Sequence, residues 1–91
     1  MKFVLTIEED GYELRYWDEV SEEVGDSIVC EWDRNIFYRM LNDMNFNISK
    51  KLLFKGIDLI EDNKKNFIIF SSKQQDHHLD TLHDDVFYIE E

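Results

Sequence analysis

The chain has 91 residues, of which 43% are hydrophobic and 14% aromatic, which predicts one domain with one modest core. Its 21 acidic residues against 10 basic residues give a net charge of −11, which disfavours binding to nucleic acid and to anionic membrane surfaces. A single cysteine, Cys30, excludes an internal disulfide and a multi-cysteine zinc site, and indicates a reducing compartment, the cytoplasm.

Residues 3–17 predict a β-hairpin. Phe3, Leu5 and Ile7 alternate with Lys2, Thr6 and Glu8, as in a half-buried strand. The dipeptide Asp10-Gly11 favours a two-residue turn with positive φ angles. The second strand then presents two faces, one with Tyr12, Leu14 and Tyr16 and the other with Glu13, Arg15 and Trp17.

Residues 18–26 are acidic and indicate a loop or a short helical turn. Residues 27–33 fit either a strand or a helix. If a helix ran through residues 28–44, Asp33 would lie in the middle of its apolar face, where an unpaired carboxylate is costly. We therefore expect Asp33 to be the N-cap of a helix from Arg34 to Asn45. The predicted core face of that helix is Ile36, Phe37, Met40, Leu41 and Met44, and Ile28, Cys30 and Trp32 form one face of a third strand.

The second half of the chain predicts three more strands. Leu52 and Phe54 alternate in one phase and Ile57 and Leu59 in another, with the change at Gly56, which is what a β-bulge produces. Residues 61–65 predict a turn, residues 66–71 a central strand that is apolar on both faces, and residues 86–90 a last strand. The expected fold is a single small α+β domain over residues 1–91, a mostly antiparallel sheet with one main helix packed on one face.

The segment 76–85 (DHHLDTLHDD) has three histidines and four aspartates and invites a metal or catalytic interpretation. On a helix, His77, Asp80 and Asp84 would share the solvent-facing side and could hold a divalent ion weakly. A catalytic zinc site needs three firm ligands in a shielded pocket. We therefore predict no metal site and no cofactor. The alternative is a weak metal site formed by His77, Asp80 and Asp84.

No nucleophile with a suitable context is present. Cys30 could act with a histidine as its base, but a lone cysteine in an alternating strand is expected to be a small core residue. The serines match no nucleophile-elbow pattern. The sequence therefore predicts a protein that is not an enzyme.

Acidic residues concentrate at both ends of the chain. Residues 1–35 hold 11 acids against 3 bases, residues 36–75 hold 4 against 7, and residues 76–91 hold 6 with no base. Clustered like charges repel, so their concentration indicates a basic partner; the alternative is that the acidity only keeps a small protein soluble. Trp17 beside the first stretch has the character of an interface anchor, or of a core residue if both faces of the sheet are covered. The predicted partner-binding residues are Trp17, Asp18, Glu19, Glu22, Glu23, Asp26, Asp80, Asp84 and Asp85.

These features predict a cytoplasmic inhibitor that binds and neutralises a basic nucleic-acid-processing protein, foremost as the immunity protein of a contact-delivered or bacteriocin-type nuclease toxin. The alternative is a phage or mobile-element DNA mimic that blocks a restriction or CRISPR nuclease. The two acidic stretches are separated by a mildly basic segment, which favours immunity, because a duplex mimic is expected to carry a longer uniform stripe. A small metal-binding protein or enzyme that uses residues 76–85 is the third hypothesis.

Overall fold

The computed structural model describes residues 2–18, 23–24, 30–72 and 86–90. In chain order the elements are β1 (Lys2–Glu8), β2 (Gly11–Asp18), β3 (Glu23–Val24), α1 (Arg34–Asp43), α2 (Lys50–Asp62), β4 (Phe67–Ser72) and β5 (Val86–Ile89). The strands form one sheet in the order β3-β2-β1-β4-β5. All neighbouring pairs are antiparallel except β4 and β5, which are parallel. The predicted α+β fold with a mostly antiparallel sheet is confirmed.

The N-terminal hairpin forms as predicted, with its turn one residue earlier. Glu8 pairs with Gly11, so Glu9 and Asp10 are the turn residues, and Gly11 has a φ of +145°. A Cβ on Gly11 would lie 2.4 Å from the backbone nitrogen of Glu31. The glycine therefore allows residues 30–33 to cross the end of the hairpin, where the Tyr12 N–H donates to the Glu31 carbonyl at 3.0 Å.

Helix α1 begins at Arg34 as predicted and ends at Asp43, two residues before the predicted end at Asn45. Asp33 is the N-cap, and its Oδ1 accepts from the N–H of Asn35 at 2.9 Å and of Ile36 at 3.1 Å. After Asp43 the helix ends in a Schellman motif, with Asn45 at a φ of 63° and the Phe46 N–H donating to the Leu41 carbonyl at 3.0 Å.

The prediction of a strand with a β-bulge at Gly56 is wrong, because residues 50–62 form α2. Its buried side chains occupy one side of a helix at 100° per residue, and Ser49 caps its start by accepting the Leu52 N–H at 3.1 Å. Gly56 lies on that buried side, where an added Cβ would be 2.8 Å from Cζ of Phe70. The glycine therefore serves close packing of α2 on β4. The buried side chains of α2 are Leu52, Leu53, Ile57 and Ile60.

The predicted third strand is also corrected. In the described part of residues 27–33, Glu31 makes one isolated bridge to Tyr12, and Trp32 is 49% exposed. Instead β3 is the two-residue strand Glu23–Val24, inside the segment predicted to be a loop or helical turn. Ile28 lies outside the described residues.

The core lies between the helices and one face of the sheet. Phe3 and Leu5 of β1 pair with Phe70 and Ile68 of β4. On α1, Phe37 and Leu41 are fully buried as predicted. Ile36 and Met44, predicted on the same face, are each 39% exposed. The buried core cluster is Phe3, Leu5, Tyr12, Leu14, Phe37, Leu41, Ile48, Leu52, Leu53, Ile57, Ile60, Ile68, Phe70 and Ile89.

The other face of the sheet is also buried at its centre. Lys2 and Val4 are each 8% exposed, and Ser71, which pairs with Lys2, is fully buried. Of the helices that the structure describes, neither is long and apolar enough to cross a membrane.

Candidate functional site

Six carboxylates surround the turn between β1 and β2, and we call them the acidic end: Glu8, Glu9, Asp10, Glu13, Glu31 and Asp33. Glu9 and Asp10 are the exposed turn residues. The crossing of the chain at Gly11 brings Glu31 and Asp33 to the same end of the sheet as this turn. Because Tyr12 pairs with Glu31, the backbone holds the two segments that carry these carboxylates together.

Backbone N–H groups orient two carboxylates of the acidic end, those of Glu31 and Asp33. Glu31 Oε2 accepts from the Asp33 N–H at 2.9 Å, while Asp33 caps α1. Arg15 Nη2 lies 3.3 Å from Glu13 Oε1, with the arginine side chain 27% exposed, and it neutralises one of the six charges. Backbone hydrogen bonds leave the carboxylate charge in place, so this end keeps a net negative charge.

Trp32 stands between two members of the acidic end in the sequence Glu31-Trp32-Asp33. Its ring meets the ring of Tyr12 edge-on, with a centroid distance of 5.1 Å and an interplanar angle of 74°. Tyr12 is 4% exposed and packs in turn on Phe37, at 6.0 Å between centroids. The indole is thus fixed on its inner side by the core and open to solvent on its outer side.

Two acids of α2, Asp58 and Glu61, differ from those of the acidic end, because Arg34 forms ion pairs with both. Arg34 Nη1 lies 2.9 Å from Asp58 Oδ1, and its Nη2 lies 3.4 Å from Glu61 Oε1. The hydrogen bond to Asp58 is the main cause that raises the pKa of Arg34. The guanidinium also lies over the ring of Phe54, 5.4 Å from its centroid. These acids stabilise the junction of α1 and α2 and are poor candidates for binding a partner's charge.

Cys30 is half-buried and lies outside the core cluster, so its expected core position is wrong. Burial is the main cause that raises the pKa of its thiol, and the negative charges of Glu13 and Asp10 raise it further. A raised pKa lowers the thiolate fraction and with it the nucleophilicity. The same charges show that Cys30 lies within the field of the acidic end.

Trp17 and Asp18 of the predicted partner surface lie at the end of β2 that is far from the hairpin turn. Trp17 is partly buried on the face of β2 that also carries Glu13 and Arg15, as predicted, and it pairs with Lys2 and Val24. Asp18 ends β2 and pairs with Glu23 of β3. Glu19, Glu22, Asp26, His77, Asp80, Asp84 and Asp85 lie outside the described residues.

The acidic end and Trp32 were missed as a site by sequence reasoning. Two signals could have indicated them: the run Glu8-Glu9-Asp10 at a hairpin turn, and a tryptophan flanked by two acids. Trp17 is separated from Gly11 at the hairpin turn by about 20 Å of strand, at roughly 3.4 Å per residue. The two tryptophans therefore mark different regions of the surface.

Within residues 2–18, 30–72 and 86–90, no group of three His, Cys, Asp or Glu side chains is placed to hold a metal ion. An open cavity of about 420 Å³ lies at the start of β4, with Lys64, Lys65 and Phe67 among its lining residues. Its described lining has no nucleophile beside a general base, which an acid–base or covalent mechanism would need. The chain matches no known protein family, no curated protein and no solved structure.

Proposed function

We propose that this chain is a non-enzymatic inhibitor that binds and neutralises a basic nucleic-acid-processing protein, in the manner of an immunity protein of a toxic nuclease. The observation that carries the proposal is the acidic end, where carboxylates cluster around the hairpin turn and Glu31 and Asp33 flank the half-exposed Trp32 in the chain. The net charge of the chain, −11, has the same sign.

Complementary charge is the physical reason for a basic partner. A negative surface attracts a positive one at long range and accelerates the encounter, up to about 10⁸–10⁹ M⁻¹s⁻¹ at low salt. Fast association suits an inhibitor that must act before its target does. A nucleic-acid-processing protein fits because its substrate cleft is basic, so that carboxylates can occupy the sites of phosphates.

The distribution of the bases favours an immunity protein over a mimic of duplex DNA. Lys50, Lys51 and Lys55 lie on α2, and Lys64 and Lys65 follow it. A duplex mimic needs regularly spaced negative charge over a long face, since the duplex carries one charge per about 1.7 Å. The acidic end is a compact cluster, which suits one patch on a folded partner.

The proposal is tested by capture followed by an activity assay. The tagged chain is used to capture partners from cells that carry its gene, and the captured protein is then assayed for nuclease activity with and without the chain. We expect one basic protein, inhibited at a fixed stoichiometry, with association that slows steeply from about 50 to 200 mM salt because exposed charges are screened.

Charge-removing variants locate the effect. The triple variant Glu8→Gln/Glu9→Gln/Asp10→Asn should slow association and weaken inhibition. Asp62→Asn, which removes a carboxylate from the end of α2, is the control and should act like the wild type. Capture of no basic protein, or a captured protein whose activity the chain leaves unchanged, would contradict the proposed function.

A further inference from the structure

Helix α1 carries a row of apolar side chains along one flank. Ile36, Met40 and Met44 follow at steps of four residues, which places them on one side of a helix, and Trp32 precedes the N-cap of the same helix. Ile36 and Met44 remain exposed while Met40 is half-buried. We call these four residues the α1 flank. At 1.5 Å per residue it extends over roughly 18 Å.

Exposed apolar side chains are concentrated on the α1 flank. The large hydrophobic residues that are exposed in the described part of the chain are Trp32, Ile36, Met44 and Phe67, and three of these four belong to the flank. Single exposed hydrophobic residues are ordinary, but a contiguous set marks an interaction surface. Tryptophan and methionine are also enriched at the centres of protein interfaces.

Acids lie at both ends of the α1 flank. Glu31 and Asp33 of the acidic end flank Trp32 in the sequence, and Asp43 is the last residue of α1 beside Met44. Asp43 opposes the helix macrodipole, because negative charge is unfavourable at a helix C-terminus, and the last turn contains no base.

We infer that the α1 flank is the docking surface for an amphipathic, positively charged segment of the partner. Apolar side chains of that segment cover Trp32, Ile36 and Met44, and its lysines or arginines lie against the acids at the two ends. The inference rests on the proposed function, because it specifies which surface the basic partner presents. A second copy of this chain is a poorer occupant, since it would bring two sets of like charges together.

A defined probe tests the surface without knowledge of the partner. A synthetic amphipathic helix of lysine and leucine is titrated into the wild-type chain at low salt, and binding is followed by calorimetry and by tryptophan emission. The matched probe has glutamate at every lysine position. We expect the lysine peptide to bind and to shift the emission to shorter wavelength, and the glutamate peptide to give neither signal.

Paired variants localise the probe. The double variant Ile36→Gln/Met44→Gln removes the exposed apolar atoms while keeping good helix formers, and it should weaken binding of the lysine peptide at least about tenfold. Phe67→Thr is the control, because Phe67 is 54% exposed but lies on β4. Circular dichroism and thermal melting should show that both variants are folded.

Equal binding of the two peptides, binding of neither, or binding that the double variant leaves unchanged would overturn the docking surface. A dimer of the wild-type chain that the double variant dissociates would assign the flank to a second copy and also overturn it. Capture of the natural partner is a separate measurement, so a failed peptide titration with successful capture rejects the α1 flank and leaves the proposed function standing. If the lysine peptide binds but no captured protein is inhibited, the proposed function is rejected and the docking surface stands.

Discussion

The hydroxyl of Tyr12 donates a hydrogen bond to Oε2 of Glu61, joining the start of β2 to the last turn of α2. Arg34 pairs with the other oxygen of the same carboxylate and with Asp58. One buried tyrosine therefore connects the hairpin, α1 and α2 directly beneath Trp32. These contacts hold the elements beneath the acidic end and the α1 flank in place. A surface with little freedom to rearrange loses less entropy when it binds a partner.

The Tyr12 hydroxyl predicts a loss of stability at high pH. Burial, followed by the hydrogen bond to Glu61, raises its pKa from 10.0 to about 12. The unfolded chain loses this proton first, so the stabilisation is complete below pH 10 and disappears as the pH rises to about 12. In Tyr12→Phe, we expect a loss of about 1 kcal/mol at neutral pH and a shallower decline of the free energy of unfolding between pH 10 and 12. Parallel declines of the two proteins in urea titrations would contradict this account.

The contact of Gly56 with Phe70 predicts that alanine destabilises a helix that it would ordinarily favour. In an exposed helix, Gly→Ala gains about 1 kcal/mol. Here the new methyl group would meet the fully buried ring of Phe70, and overpacking typically costs about 1–3 kcal/mol. Gly56→Ala should therefore lower the free energy of unfolding, and Phe70→Leu should be less harmful in the Gly56→Ala background than alone. Additive effects of the two changes in a double-mutant cycle would show that the contact is unimportant.

Local signals predicted α1, and a long-range contact hid α2. Asp33 could be predicted as an N-cap because a cap forms hydrogen bonds only with the residues that directly follow it in the sequence. Gly56 was interpreted as a bulge because the contact that requires a glycine there is not visible in the sequence. That contact is with Phe70, which is fourteen positions away in the sequence and adjacent only in the fold. Leu53 and Ile60 belong to the buried face of the helix, and the prediction of a strand left them out because it considered only every second residue. The exposure of Trp32 likewise depends on the chain crossing at Gly11, and the parallel pairing of β4 with β5 is encoded by no local pattern.

The C-terminus of α2 predicts a stabilising substitution. Lys64 occupies the position that usually favours glycine, with a φ of 52°, and the Lys65 N–H donates to the Ile60 carbonyl at 3.2 Å to complete a Schellman motif. The left-handed conformation costs a residue with a Cβ about 1 kcal/mol or more. Lys64→Gly should raise the free energy of unfolding by about 0.5–1 kcal/mol.

Two comparison variants separate conformation from charge in that experiment. Lys64→Ala loses the same charge but keeps its Cβ, so it should give no gain. Asn45→Gly at the end of α1 should gain less than Lys64→Gly, because asparagine tolerates a positive φ. Equal stabilisation by Lys64→Ala and Lys64→Gly in chemical denaturation would refute the explanation from backbone strain.

The position of Asp43 predicts that stability and binding respond in opposite directions. Lysine at this helix C-terminus interacts favourably with the macrodipole, so Asp43→Lys should raise the free energy of unfolding by about 0.3–1 kcal/mol. The same change places a positive charge beside Met44, and binding of the lysine peptide to the α1 flank should weaken several-fold at low salt and recover towards the wild-type value as salt screens the repulsion. Asp62→Lys makes the same change of net charge and the same helix-end correction on α2, so it should stabilise the fold with little effect on the peptide. Equal weakening by the two variants would mean that net charge alone governs the interaction, and that the acids at the ends of α1 have no special part in it.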